Sequence, residues 1–150
     1  SYRWGSCHKF YLYFRENGVV EWIAWDYNLS FGYGLNTKNF YPIGSDRNYF
    51  LRRLLKEEKY MEMYWQAIEE ISKITSSIKY KINVLRIHKL IKSSVAEDPN
   101  KFYSLDTFNV SFKKSILGGL STQIPGILTF TKEQNRRWKE YKKENELRVD

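Results

Sequence analysis

The stretch from Phe10 to Gly32 reads FYLYFRENGVVEWIAWDYNLSFG. Two runs rich in aromatic and β-branched residues, Phe10 to Phe14 and Val19 to Trp25, flank a short segment that ends in Asn17-Gly18. Because an Asn-Gly pair suits the positive φ angles of tight turns, the sequence predicts a β-hairpin. Apolar and polar residues alternate poorly in the first run, so we expect a helical body to cover both faces of this hairpin.

The rest of the chain predicts helices after an irregular stretch. Residues 29–46 contain three glycines and Pro42 and predict a long loop. Apolar residues then recur at helical spacing, and the third helix carries two apolar stripes, which predicts packing on two sides. The fold class is therefore α+β, with an N-terminal β-hairpin followed by a mostly helical body. The predicted helices start near Arg47, run from Lys59 to Ser72, reach Val95 from a cap at Thr75 or Ser76, run from Ser104 to Gly118, and run from Thr131 to Leu147.

Composition excludes several classes of protein. The chain has 150 residues, of which 42% are hydrophobic and 28% charged, as expected for one folded domain rather than a disordered chain. No run approaches the roughly 18 consecutive apolar residues of a membrane-spanning helix. A single cysteine, Cys7, excludes an internal disulfide and a thiolate zinc cluster.

Positive charge is concentrated in the second half of the chain. The net charge is +8, and residues 76–150 hold 15 basic and 8 acidic residues. A basic run between Ile71 and Ala96 contains no acidic residue. Its lysines are expected to extend into water from a helix that buries its isoleucines. Alternatively, they attract nucleic acid, an acidic partner or a phosphate-bearing ligand, and charge alone does not distinguish these.

Asp26 is the strongest candidate for a residue with a chemical role. It ends the second predicted strand, and Asn28 follows two residues later, before the Phe31-Gly32 pair. A carboxylate at a strand end is a common way to hold Mg²⁺ against a nucleotide phosphate, because Mg²⁺ prefers oxygen ligands. The alternative is that Asp26 caps the following loop as an Asx-turn.

A family resemblance bears on that choice. Tyr11-Leu12-Tyr13, a glycine turn and the run from Glu21 to Gly32 resemble the hairpin and the Trp-Asp-x-Asp/Asn-x-x-Phe-Gly motif of the CotH-type spore-coat protein kinases. The resemblance extends over nearly the whole chain. The later similar segments are Arg53-Leu54-Leu55, Tyr60 to Ile71, Asp98 to Tyr103 and Pro125 to Phe130.

The resemblance implies that residues 1–150 are a single domain, the carboxy-terminal portion of an atypical kinase that transfers the ATP γ-phosphate to Ser or Thr of a spore-coat or cell-surface protein. It gives Asp26 the role of the Mg²⁺-binding aspartate, with Asn28 as a second, uncharged oxygen donor. Where the family has a His-Asn pair, this chain has His8-Lys9, and the ammonium of Lys9 would pair with a phosphate. The catalytic-loop aspartate and the amino-terminal lobe would lie before Ser1, so we expect the isolated fragment to be inactive.

Two alternatives differ from an active kinase. Lys9 and the neutral Asn28 are consistent with a non-catalytic pseudokinase that serves in adhesion or coat assembly. The basic second half is consistent with a nucleic-acid-binding domain, although no recognition motif supports it and no nucleic acid is expected as a partner. We expect His88 to be a packed helical histidine and the neighbours Cys7 and His8 not to form a catalytic pair.

Overall fold

The computed structural model describes residues 10–25, 40, 49–118 and 123–147. The chain divides into two compact units, one of Ser1–Ser30 with Asn39–Trp65, the other of Phe31–Lys38 with Gln66–Asp150. Among the described residues, the first unit contains a β-hairpin and the second contains most of the helical sequence. The predicted α+β class, an N-terminal hairpin followed by a mostly helical body, is confirmed.

The hairpin forms where the sequence predicts it. Strand β1, Phe10–Phe14, pairs with strand β2, Val20–Ala24, in an antiparallel ladder. At the turn, Gly18 adopts a φ of +79°, which only glycine reaches without strain. The side-chain oxygen of Asn17 accepts a hydrogen bond from the Val19 N–H at 3.1 Å. The predicted positive φ is confirmed at Gly18 and not at Asn17, which contributes to the turn through its side chain.

The faces of the hairpin are not covered, and that part of the prediction is wrong. Phe14 is 69% exposed and Trp25 is 57% exposed. The aromatic rings instead pack across the two strands: Phe10 stacks on Trp22 with ring centroids 3.8 Å apart, and Tyr11 meets Trp25 edge to face at 5.9 Å. Poor alternation here reflects aromatic residues that shield one another, not burial on both sides.

The helices of the body are amphipathic and are interrupted by one minimal two-stranded sheet, β3 with β4. Among the described residues, no helix has the length and apolar character needed to cross a membrane. The elements after the hairpin are α1 Tyr49–Leu54, α2 Glu58–Ser76, α3 Ile78–Glu97, α4 Leu105–Ser111, β3 Ile116–Leu117, β4 Gln123–Ile124 and α5 Ile127–Glu144.

The start of α3 differs by one residue from its prediction. Ser77 is the N-cap, and its hydroxyl accepts the Tyr80 N–H at 3.1 Å. Neither Thr75 nor Ser76 caps this helix. Thr75 still belongs to α2, where its hydroxyl donates to the Ile71 carbonyl at 2.7 Å. Thr75 and Ser76 both lie inside α2, so neither occupies the extended backbone position that Ser77 takes as the N-cap of α3.

The helix predicted from Ser104 to Gly118 ends early. Helix α4 stops at Ser111, and the chain continues into β3. The Phe112 carbonyl, which follows the end of α4, instead accepts a hydrogen bond from the Leu128 N–H of α5 at 3.0 Å. This approach needs Gly126, because a Cβ at that position would lie 2.7 Å from the carbonyl carbon of Lys113. Helix α5 consequently begins right after Gly126, four residues before its predicted start.

The buried centre of the second unit is small and lies on α5. Trp138 is 1% exposed, and Thr131 and Ser72 are also buried. The prediction that α3 packs on two sides is wrong: none of its residues is buried, and Ile78 and Leu90 are 75% and 72% exposed. The two apolar stripes of α3 are thus wider than the part of the helix surface that other elements cover.

Candidate functional site

The residues predicted to carry the chemistry lie outside the described residues. These are Asp26, Asn28 and Lys9, together with the neighbours Cys7 and His8. Their predicted roles therefore stay predictions. The structure does describe the β-hairpin, whose second strand precedes Asp26 and Asn28 in the sequence.

That element is the open end of the hairpin. Phe10 and Ala24 are paired there across the two strands. Lys9 directly precedes Phe10 in the sequence, and Asp26 follows Ala24 by two residues. Trp25, the residue between, packs its ring against that of Tyr11. The ring contacts Phe10–Trp22 and Tyr11–Trp25 thus join the two strands at this end of the hairpin, next to the sequence positions of Lys9 and Asp26.

His88 is a structural residue, as predicted. Its ring stacks on Phe108 with centroids 4.5 Å apart and lies 4.4 Å from the Phe112 ring. One ring nitrogen lies 3.3 Å from the Phe108 carbonyl oxygen. Nowhere in the described ranges do three or more His, Cys, Asp or Glu residues cluster as metal ligands. His88 therefore holds α4 against α3.

A partly buried polar contact joins α2 to α5. The Glu69 carboxylate accepts hydrogen bonds from the Trp138 indole N–H and from the Lys142 ammonium, both at 2.7 Å. Burial favours the neutral acid, but the bonds from Lys142 and Trp138 outweigh burial and hold the pKa of Glu69 below its ordinary value. This contact stabilises the fold of the second unit and offers no open site.

The second unit also contains a basic cavity, which we call the α5 cavity. It has a volume of about 580 Å³ and is bounded by the end of α2, the start of α3, the turn after α4 and one face of α5. None of the lining residues that the structure describes is acidic. Its cationic side chains are Lys81, Lys113, Lys132, Arg136 and Lys139.

Two polar side chains that line the α5 cavity, Thr131 and Asn135, make hydrogen bonds within the protein. Thr131 is buried, and its hydroxyl donates to the Ile127 carbonyl at 2.9 Å. The Asn135 side-chain amide lies 3.1 Å from the Thr75 hydroxyl, which joins α5 to α2. These side chains are held in place by the fold rather than by a ligand.

Sequence reasoning missed the α5 cavity, although part of its signal was present. Lys132, Arg136 and Lys139 have the i, i+4, i+7 spacing of one helix face. Lys81 and Lys113 are distant in sequence, and only the packing of α3 and α4 near α5 brings them to the same cavity. The basic run on α3 indicates charge along one helix. It does not indicate that basic residues of several elements line the same cavity.

Comparison with known proteins identifies the family. The family described as CotH kinase protein matches residues 4–142, which is most of the chain. The chain therefore belongs to the CotH kinase family, as its motifs indicate. No curated protein and no solved structure matches it.

Proposed function

We propose that the chain is the carboxy-terminal portion of an atypical protein kinase domain that transfers the γ-phosphate of ATP to Ser or Thr residues of a spore-coat or cell-surface protein. Residues 1–150 then form one domain, completed by an amino-terminal lobe. The observation that carries the proposal is the family match over residues 4–142, because that range includes Lys9, Asp26 and Asn28. Membership suggests the use of ATP, Mg²⁺ and a protein substrate.

In this proposal Asp26 and Asn28 provide oxygen donors for Mg²⁺, a donor set that suits a hard cation. Bound Mg²⁺ would neutralise charge on the ATP phosphates. The neutral amide of Asn28 contributes less than a second carboxylate would, and the ammonium of Lys9 pairs with a phosphate oxygen. A catalytic aspartate upstream of Ser1 orients the substrate hydroxyl.

The hairpin supports this arrangement through its register. Because Phe10 and Ala24 are partners, Lys9 and Asp26 are each attached within two residues of the same paired position. A trans peptide unit spans only about 3.8 Å, so such short tethers limit how far apart the two can lie. The proposal therefore needs no long-range rearrangement to bring a phosphate-pairing cation near a metal-binding carboxylate.

The direct test uses the complete protein with labelled ATP, Mg²⁺ and a coat-protein substrate. Replacing a ligand that positions a charge-neutralising metal costs several kcal/mol of transition-state stabilisation, so Asp26→Asn should lower kcat by about 100-fold or more. The matched control is Asp106→Asn, the same chemical change at an exposed position of α4, which should leave kcat within about twofold. Full activity of Asp26→Asn would refute the proposed role.

A non-catalytic pseudokinase that serves in adhesion or coat assembly is the second candidate, favoured by Lys9 and Asn28 at positions where the family pattern has metal-binding groups. The two candidates differ in nucleotide binding. An active kinase binds ATP more tightly when Mg²⁺ is present, and Asp26→Asn removes that difference. A titration of the complete protein with ATP, with and without Mg²⁺, distinguishes them: no ATP binding in either buffer supports the binding module.

A further inference from the structure

We propose that the α5 cavity is a binding site for a small ligand that carries several clustered phosphate groups. Every described residue that lines the cavity belongs to the second unit and lies between positions 75 and 139, and none of them is one of the proposed phosphoryl-transfer residues. The inference does not depend on kinase activity. It rests on charge, shape and the fixed polar groups of the cavity.

The charge is uncompensated at four of the five cations. None of the ion pairs between described residues uses Lys81, Lys113, Lys132 or Lys139. Arg136 differs, because it pairs with Glu133 at 2.8 Å and with Glu140. The four lysines line one concavity from α3, from the turn after α4 and from α5, so their positive charges add to the potential there, which attracts a multivalent anion.

The shape suits a small molecule. A volume of about 580 Å³ lies within the usual range of roughly 300 to 1,000 Å³ for small-molecule sites. Thr131 and Asn135 form part of a polar wall whose hydrogen bonds are already made. A wall fixed before binding reduces the ordering cost that a ligand must overcome.

The lining also indicates which anion is recognised. Ammonium groups bind phosphate oxygens through charge-assisted hydrogen bonds. None of the described residues that line the cavity is aromatic, so this lining offers a nucleobase no stacking surface, and stacking dominates the binding of single-stranded nucleic acid. The phosphates themselves are therefore recognised, in a ligand such as a linear polyphosphate or a polyphosphorylated ring.

The test is a calorimetric titration of the complete protein with sodium tripolyphosphate, in a buffer with EDTA so that no site that requires Mg²⁺ contributes. A parallel titration with inositol hexakisphosphate separates a linear inorganic ligand from a ring ester. We expect saturable binding with one ligand per chain, which weakens as NaCl is raised from 50 to 300 mM. The better of the two probes identifies the source of the phosphates.

Matched variants locate the binding. The cavity variant carries Lys81→Gln, Lys132→Gln and Lys139→Gln. The control variant carries three substitutions at exposed lysines of α3 that are not among the described lining residues: Lys79→Gln, Lys89→Gln and Lys92→Gln. Both lose three positive charges. We expect affinity to fall about tenfold or more in the cavity variant and less than about twofold in the control. Equal losses, or no binding of either probe at 50 mM NaCl, would overturn the proposal.

A second measurement uses the unaltered protein, so that it holds even where a triple variant fails to fold. Pyridoxal 5′-phosphate is an aldehyde with a phosphate group, and borohydride reduces the imine it forms with a lysine to a stable amine. Peptide mapping should find label on Lys81, Lys113, Lys132 or Lys139, with tripolyphosphate protecting those positions. Label spread evenly over the exposed lysines, unchanged by tripolyphosphate, would contradict the site.

Discussion

The hairpin and the contact between α2 and α5 use tryptophan in opposite ways. In the hairpin, Trp22 is 45% exposed and stacks on the ring of Phe10. In the second unit, Trp138 is 1% exposed, and its indole N–H donates to Glu69. Burial removes apolar area from water on every side, whereas a stacked pair at the surface removes it on one. The difference indicates that the second unit contributes most of the free energy of unfolding. The hairpin contains the start of the sequence motif that resembles the CotH-type kinases.

The strongest test of this comparison is the same substitution in both regions. Trp138→Ala should lower the free energy of unfolding by about 3–5 kcal/mol, because it leaves a large cavity and removes a hydrogen-bond donor from the partly buried Glu69 carboxylate. Trp22→Ala should cost about 1 kcal/mol, since nearly half of Trp22 is already exposed to water. Urea unfolding followed by helical circular dichroism measures both. Equal costs would contradict the assignment of stability to the second unit.

The next test separates the charge of Glu69 from the packing around it. Glu69→Gln keeps an oxygen that can accept the Trp138 N–H but removes the ionic partner of Lys142, so we expect a cost of about 1–2 kcal/mol at pH 7. Glu70→Gln is the matched control, because Glu70 is exposed on the same helix. It should change stability by less than about 0.5 kcal/mol.

The same pair predicts a dependence on pH. The pKa of Glu69 lies below its ordinary value of 4.5 in the folded protein, so the carboxylate contributes stability above pH 4.5 and loses that contribution as the pH falls through the folded pKa. The difference in melting temperature between the wild type and Glu69→Gln should therefore be largest at pH 7 and shrink below pH 4.5. A difference that grows on acidification would show that Glu69 is not held as an anion.

The hairpin could be predicted from sequence because its determinants are local. An Asn-Gly pair between two aromatic runs fixes the turn without help from elsewhere, and Gly18 has the positive φ that such a turn requires. Helix existence was predictable for the same reason, since Trp138 and Tyr141 reveal the apolar face of α5. Of the predictions about the candidate site, only strand β2, which precedes Asp26 in the sequence, is confirmed by the described residues.

Tertiary contacts decided what the sequence did not show. The early end of α4 depends on a hydrogen bond between Leu128 and Phe112 and on the space that Gly126 leaves, and neither is visible in periodicity. The α5 cavity depends on the approach of Lys81 and Lys113 from separate elements. Patterns along the chain report one element at a time, so convergence between elements escapes them.

A smaller effect is expected at the hairpin turn. Gly18→Ala forces a side chain into the left-handed region, where alanine is disfavoured by about 1 kcal/mol, although no atom lies within 4 Å of the added Cβ. Gly18→Asn is the control, because asparagine tolerates this backbone conformation better. Because the second unit carries the stability in our comparison, Gly18→Ala should leave its thermal unfolding within 1–2 °C of the wild type. It should instead weaken hydrogen-exchange protection of the β1 and β2 amides, and unchanged protection would mean that another contact sets the turn.

The smallest effect, and one of opposite sign, is expected at Tyr80. Its hydroxyl is buried and has no hydrogen-bond partner within the described part of the chain, although Thr131 lies beside it. Burial raises the pKa of this phenol, and the neighbouring Thr131 offsets only part of that effect. Removing an unsatisfied buried polar group costs no hydrogen bond and spares its desolvation, so Tyr80→Phe should leave the melting temperature unchanged or raise it by about 1–3 °C. A fall of several degrees would show that the Tyr80 hydroxyl is hydrogen-bonded in solution, with Thr131 as the neighbouring partner.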